Sequence, residues 1–352
     1  MKHPALALSF IFAAFAAPAI SLFHSTDADA CSRVVYHGSD SLYVVGRSLD
    51  WKTPIPTNIY VYPRGMEKRS TNLDNPIKWR SKYAAVYAVG YDGGVTEGMN
   101  EKGLVVNGLF CKGTVYNGST LSKRHSMSLA VFVEWLLALN ENVDQVRSAL
   151  ENADFEIQGA TFDGGTVSQL HWGVTDASGK SIIFEFDHGK INVYDMGDYR
   201  AMTNDPTWPK MTAIIDYWNK IGGRNFLPGS VSSPDRCVRA NYFAHQVEKT
   251  SDTDLGVSIT RSILSGSSVP YTYMIQGEPN VSSTQWRSYA VPRDGRYYFD
   301  IVTNQGIFYV DLTEIKQLSG DWVYRLDTSK TKEIAGCANS RLERTAPFSP
   351  MW

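Results

Sequence analysis

Apolar and polar positions alternate in short runs over the first half of the chain. Residues 33–36, 42–47, 58–62, 84–89 and 104–109 each mix β-branched, aromatic and small apolar side chains. Short bounded runs of this kind predict strands. Gly38-Ser39-Asp40-Ser41 is a turn signal between the first two, so they are expected to pair as a hairpin. The pattern lengthens to a helical period over 128–139, which predicts an amphipathic helix. A second helix is expected after Asn142, a favoured N-cap residue, with Val143, Val146 and Leu150 on one face. Strand patterns return at 168–174 and 181–186, joined through Asp176-Ala177-Ser178-Gly179. Helical patterns follow at 210–218, 236–247 and 255–264, and strands again at 287–291, 296–302 and 307–310. Strands and helices arranged in blocks do not fit regular βαβ alternation. They predict an α+β fold in which antiparallel sheets pack face to face with helices outside.

Residues 1–30 break this pattern. Lys2 and His3 precede an apolar run over 5–23, a polar stretch follows, and Ala28-Asp29-Ala30 ends the segment. Small residues three and one positions before a cut form a secretory cleavage signal, so cleavage is expected between Ala30 and Cys31. A membrane anchor is the competing reading, but Pro18 interrupts the run and the cleavage pattern follows at once. No later apolar run approaches membrane-spanning length, so stable membrane insertion is not expected.

The remainder is ordinary globular material. Of the whole chain, 43% is apolar and 20% charged, enough for a large core. The net charge of −2 and the absence of any Lys/Arg-rich block argue against a nucleic-acid partner. The four cysteines, Cys31, Cys111, Cys237 and Cys337, include no CxxC pair, so structural zinc is not indicated. In an exported protein some could form disulfides, and spacing does not say which.

A cysteine exposed as a new N-terminus carries a nucleophile and a base on one residue. Its thiol has an ordinary pKa of about 8.5 and its α-amine one of about 7.7–8.0. The unprotonated amine can take the thiol proton, a known route to an activated nucleophile. A lipid-modified cysteine and half of a disulfide compete with this reading. The hairpin brings Arg47 and Asp50 back towards residue 31. A guanidinium there is expected to lower the thiol pKa, and a carboxylate to orient the amine. An Arg and an Asp three residues apart are equally a common surface pair.

Cys31, Arg47-Ser48-Leu49-Asp50-Trp51 and Gly98-Met99-Asn100-Glu101-Lys102-Gly103-Leu104 stand in an order that resembles a known family. The resemblance is to the choloylglycine hydrolase family of N-terminal-nucleophile hydrolases, and in particular to its Gram-negative penicillin V acylases. It continues through Met202-Thr203-Asn204-Asp205-Pro206-Thr207, Leu227-Pro228-Gly229 with Ser232-Ser233-Pro234-Asp235-Arg236, and Ser283-Thr284-Gln285-Trp286. These motifs span nearly all of 31–352, so the resemblance implies one domain with a four-layer αββα sandwich of two antiparallel sheets. It implies a penicillin V acylase-like hydrolase of linear N-acyl amides, with bile salt hydrolysis as the alternative. It also implies roles: Cys31 as nucleophile, Asp50 holding the amine and thiol, Arg47 and Arg236 flanking the sulfur, and Asn204 as oxyanion donor. Leu109-Phe110-Cys111 departs from the family, in which many relatives carry Asn or Tyr. Phe110 and Trp51, with Cys111 beside them, are the expected substrate contacts; ordinary core aromatics are the bland alternative.

No phosphate-binding loop, HExxH or GxGxxG competes, so neither metal nor organic cofactor is expected. The expected partner is a small N-acyl amide, such as penicillin V or an acyl homoserine lactone. The location implied is the periplasm. Relatives are often homotetramers, though nothing in this sequence requires one. A non-catalytic, lipid-anchored binding protein is the reading from a different class.

Overall fold

The structure, a computed structural model, describes residues 31–116, 124–159, 161–162, 166–274, 282–316 and 318–351. The leader expected at 1–30 lies outside them. Two large sheets face each other. The first has seven strands in the order Ala201–Met202, Ser32–His37, Tyr43–Trp51, Ser283–Val291, Arg296–Ile301, Phe308–Asp311 and Gly336–Cys337. The second has nine, in the order Lys190–Asp195, Ser181–Asp187, Leu170–Thr175, Val105–Phe110, Gly94–Asn100, Ala85–Gly90, Thr57–Tyr62, Val323–Leu326 and Glu343–Thr345. All pairings in both are antiparallel except the short contact between Phe308–Asp311 and Gly336–Cys337.

The period-two alternation sorts side chains into three cores, and three cores make four layers. Val35, Val45, Val86, Ala88 and Val105 point between the sheets. Their neighbours Val34, Tyr36 and Val44 pack outward against Cys237, Ile263 and Leu264 of the helices Ser233–Gln246 and Thr253–Ser265. Tyr87, Val89 and Val106 pack outward on the other side against Phe132 and Leu136 of the helix Leu129–Leu139. The expected αββα sandwich is therefore present.

The first hairpin forms as expected. Ser32 pairs with Ser48 and Arg33 with Arg47, and Gly38 N–H closes the turn on Leu42 O at 2.8 Å. The helix Leu129–Leu139 starts where Ser128 Oγ accepts from Ala130 N–H. It is not amphipathic: every residue from Leu129 to Ala138 is buried, and its Glu134 carboxylate meets Lys68 Nζ at 3.0 Å. A helix apolar all round belongs inside the molecule rather than on its surface. The helix Val143–Glu151 is capped by Asn142, whose side chain accepts from Gln145 N–H, and buries Val143, Val146 and Leu150 as the pattern predicts.

Candidate active site

Cys31 immediately precedes the strand Ser32–His37, which lies between Ala201–Met202 and Tyr43–Trp51 in the first sheet. Along the neighbouring strand Arg47, Leu49 and Trp51 alternate towards the second sheet, while Ser48 and Asp50 point the other way. The strand end brings both sets to Cys31. Arg47 Nη2 lies 3.6 Å from the sulfur, and the thiol reaches Asp50 O at 3.8 Å. Arg47 is itself held on three sides. Its Nη2 donates to Gly108 O at 2.9 Å, its Nε sits 3.1 Å from Glu97 Oε2, and its guanidinium carbon lies 4.8 Å from the centre of the Trp286 ring. Glu97, fully buried, also accepts from Tyr297 OH at 2.6 Å and from the Ser288 hydroxyl.

Arg236 lies under Cys31 and makes no hydrogen bond to the sulfur. Its Nη1 donates to Cys31 O at 2.8 Å and to Ser32 Oγ at 2.7 Å, and its Nη2 to Asn204 Oδ1 at 2.7 Å. Of the two arginines expected to flank the sulfur, Arg47 alone hydrogen-bonds it; Arg236 fixes the Cys31 backbone, and its charge also favours the thiolate. Asn204 Nδ2 donates one hydrogen to Phe110 O at 2.8 Å, which leaves its second amide hydrogen without an acceptor among the described residues. Through Arg236, Asn204 is tied to the Cys31 carbonyl. Cys111 N–H donates to Gln169 O at 2.8 Å and so is not available as a second oxyanion donor.

The sulfur faces a cavity of about 120 Å³ that opens to solvent. Its walls are chiefly apolar: Trp51, Ile55, Phe110, Leu129, Leu170 and Met351. The Trp51 and Phe110 rings lie 5.6 Å apart at 55°, so both expected aromatics line it. Cys111 does not. It turns into a buried group with His171 and Glu185, behind the wall.

Electrostatics at Cys31 differ from the expectation. Burial pushes the thiol up, and Arg47 and Arg236 offset this only in part while Asp50 adds to it. The arginine does not by itself give a thiolate at neutral pH, so the sulfur needs a base. Asp50 is pushed up to about 6 by burial, against the pull of Arg236, Thr284 and Arg47. Asp50 Oδ2 accepts from Ser48 Oγ at 3.3 Å, but Oδ1 is buried with no hydrogen-bond partner among the described residues, and so is Arg47 Nη1. Buried polar atoms without partners are rare in native proteins. Here an unused acceptor and an unused donor both belong to residues lining one cavity beside one sulfur.

Among the described residues, Cys111, His171 and Glu185 bring potential metal-ligand atoms within 4.8 Å of one another. The hydrogen bonds argue against a metal. His171 Nδ1 faces Glu185 Oε1 at 3.1 Å and Nε2 faces Thr203 O at 2.8 Å. Both partners are acceptors, so both ring nitrogens carry protons and neither offers a lone pair. Burial opposes a charged His171, but the Cys111 sulfur and the Glu185 carboxylate outweigh it and hold the imidazole well above its usual value. Glu185 Oε1 also accepts from Trp208 N–H at 2.9 Å. One buried ion pair therefore pins the loop that carries Asn204 at Thr203 and at Trp208.

The residues that the sequence did not single out are Glu97, His171, Glu185, Leu129, Leu170 and Met351. Glu97 left the clearest trace, as an acid one position before the Gly98–Leu104 motif in an otherwise apolar setting.

Comparison with known proteins settles the class. The model of the choloylglycine hydrolase family, linear amide C–N hydrolases, matches residues 31–324. The chain belongs to this family. A penicillin V acylase from Pectobacterium atrosepticum is 30% identical over 344 residues, covering 91% of each chain. A bile salt hydrolase/transferase from Clostridium perfringens is 25% identical, covering 86% of this chain and 98% of its own. The structure of penicillin V acylase from Agrobacterium tumefaciens superposes with a TM-score of 0.83 at 34% identity, over 91% of this chain and 99% of that one. The protein is thus a hydrolase of linear amide C–N bonds, of the penicillin V acylase and bile salt hydrolase type.

Proposed function

We propose that the chain is exported, cut between Ala30 and Cys31, and acts in the periplasm as an N-terminal-cysteine acylase of the penicillin V acylase kind. Its substrates are N-acyl amides with an apolar acyl group: penicillin V in the laboratory and N-acyl homoserine lactones in nature. The observation that carries this reading is the Cys31 sulfur facing an apolar cavity beside Arg47, with Asp50 Oδ1 buried and unpaired. Cleavage frees the Cys31 α-amine, the base that a raised thiol requires. Asp50 Oδ1 is the acceptor that orients it.

The neutral amine takes the thiol proton, and the thiolate attacks the amide carbon. The carbonyl electron pair moves to oxygen, where the second Asn204 amide hydrogen and a backbone N–H stabilise the charge. A donor of this kind contributes about 2.7–4 kcal/mol. The electron pair then returns, the C–N bond breaks, and the ammonium gives its proton to the departing amine. A thioester remains on Cys31. The same amine deprotonates a water that attacks it, releasing the carboxylic acid and restoring the thiol. The chemistry requires no metal or organic cofactor.

Bile salt hydrolysis is the second reading, favoured by the likeness to bile salt hydrolases. Rates on penicillin V, dodecanoyl homoserine lactone and glycocholate separate the two. Higher kcat/KM on the first two supports the acylase reading, and a preference for glycocholate overturns it. An alanine inserted before Cys31 removes the free amine and should abolish turnover on all three. Full activity of that variant would refute the mechanism.

A further inference from the structure

The wall of the acyl cavity has a contributor from far along the chain. Met351 lies beyond residue 324, where the family match ends, yet it lines the cavity that Cys31 faces. Two contacts fix it there. Its backbone N–H donates to Gly93 O at 2.8 Å, on the tight turn between the strands Ala85–Gly90 and Gly94–Asn100. Its side chain occupies the space over Gly93: a Cβ added at Gly93 would lie 2.5 Å from Met351 Cγ, 3.1 Å from Sδ and 3.2 Å from Cε. Upstream, Phe348 anchors the segment. It is buried against Tyr60 and Tyr62, each ring centre 5.8 Å away, and its N–H donates to Tyr62 OH at 3.0 Å.

We infer that Met351 is a specificity-determining residue, a flexible stop at one end of the acyl cavity that sets the length of acyl chain the enzyme accepts. This rests on the reading of the cavity as the acyl site. A thioether on an unbranched stem fills irregular space and adapts to a ligand, which suits a stop better than a branched or aromatic side chain. Gly93 is part of the same device. Its φ is not in the left-handed region, so a side chain there meets no backbone strain. The three atoms nearest to a Cβ all belong to Met351. Glycine at this position makes room for the methionine.

The test is a double-mutant cycle read as chain-length preference. Wild type, Met351→Ala, Gly93→Ala and the double variant are assayed on butyryl, hexanoyl, octanoyl, decanoyl and dodecanoyl homoserine lactones. The readout is the ratio of kcat/KM for dodecanoyl over octanoyl, which does not depend on the fraction of enzyme folded. Each further buried methylene contributes about four-fold, so Met351→Ala should raise the ratio about ten-fold or more. Gly93→Ala pushes the methionine into the cavity and should lower the ratio. In the double variant the Gly93 effect should vanish, because the three atoms nearest to the new Cβ are gone. A Met351→Ala ratio equal to wild type, or a Gly93→Ala effect that persists without Met351, overturns the inference while leaving the acylase reading intact. If wild type neither turns over these lactones or penicillin V nor forms an acyl adduct on Cys31, the acylase reading falls and takes the inference with it.

Discussion

Replacing Glu97 by glutamine tests whether the buried ion pair beneath the nucleophile holds Arg47 in place. Both side chains are almost fully buried, and Arg47 Nε lies 3.1 Å from Glu97 Oε2. Glutamine keeps the shape and one acceptor, which can still serve Tyr297 and Ser288. Its amide then faces Arg47 with a donor, and the guanidinium retains only Gly108 O, the Cys31 sulfur and the Trp286 face. Removing one partner of a buried pair costs about 3–5 kcal/mol, because the other charge stays buried. A chain of this length loses about 1.5 °C per kcal/mol, so Tm should fall by about 5–7 °C. The second effect is on the sulfur. Without the neighbouring carboxylate the positive field of Arg47 at Cys31 is less neutralised, so the thiol should ionise at lower pH. Iodoacetamide alkylation of Cys31, followed on its peptide by mass spectrometry across pH, reports this. Tyr297→Phe removes one donor to Glu97 but keeps the pair, and should cost only about 1 kcal/mol. An unchanged Tm in Glu97→Gln, or an alkylation midpoint that moves up in pH, would refute the reasoning.

Asn204→Ala should lower kcat by about 10²–10³, the loss expected for one oxyanion donor; a change confined to KM would point to a positioning role alone. The His171–Glu185 pair carries a linkage prediction. Because His171 is held above its ordinary value of about 6.5, its stabilisation is complete below that pH and is lost as pH rises through the folded value. Urea unfolding of wild type and Glu185→Gln should therefore show a stability gap that is widest below pH 6.5 and narrows in alkali, and a gap that widens with pH would contradict it. Asp50 should titrate near 6 in a chain that keeps residues before Cys31, and lower once cleavage places a cationic amine beside it. Carboxyl-labelled NMR of both forms measures this, and equal values would show that the amine does not reach Asp50. Cys237, buried and pushed up to about 12, should resist alkylation in the folded protein; modification as fast as at the exposed Cys337 would argue against its packing.

The strands of the first hairpin were legible because each face of a buried strand needs apolar residues at alternate positions, and 33–36 and 42–47 supply them. The strand Gly94–Asn100 was not, since Gly94, Glu97, Gly98 and Asn100 break the apolar run. Those residues make sense only in three dimensions. Glu97 pairs with Arg47 across the sheets, and a Cβ at Gly98 would fall 2.3 Å from Val86 O. The helix Leu129–Leu139 was placed correctly, but its polar face was misjudged, because Glu134 is matched by Lys68 from a distant segment. At the site, motif order supplied Cys31, Arg47, Asp50, Asn204 and Arg236. It did not supply their contacts: Arg236 turned out to hold the Cys31 carbonyl and Asn204. His171 and Glu185 are polar positions within largely apolar strands, and only their pairing distinguishes them from surface residues. The cavity wall gathers Trp51, Phe110, Leu129, Leu170 and Met351 from five separate segments, and no periodicity along the chain links them.

The intact mass of the exported protein, taken before and within seconds of mixing with penicillin V, tests the central claim most directly. The account predicts a chain that begins at Cys31 and a transient phenoxyacetyl adduct on the Cys31 peptide. An active chain that begins elsewhere, a lipid on Cys31, or an adduct on another residue would contradict it.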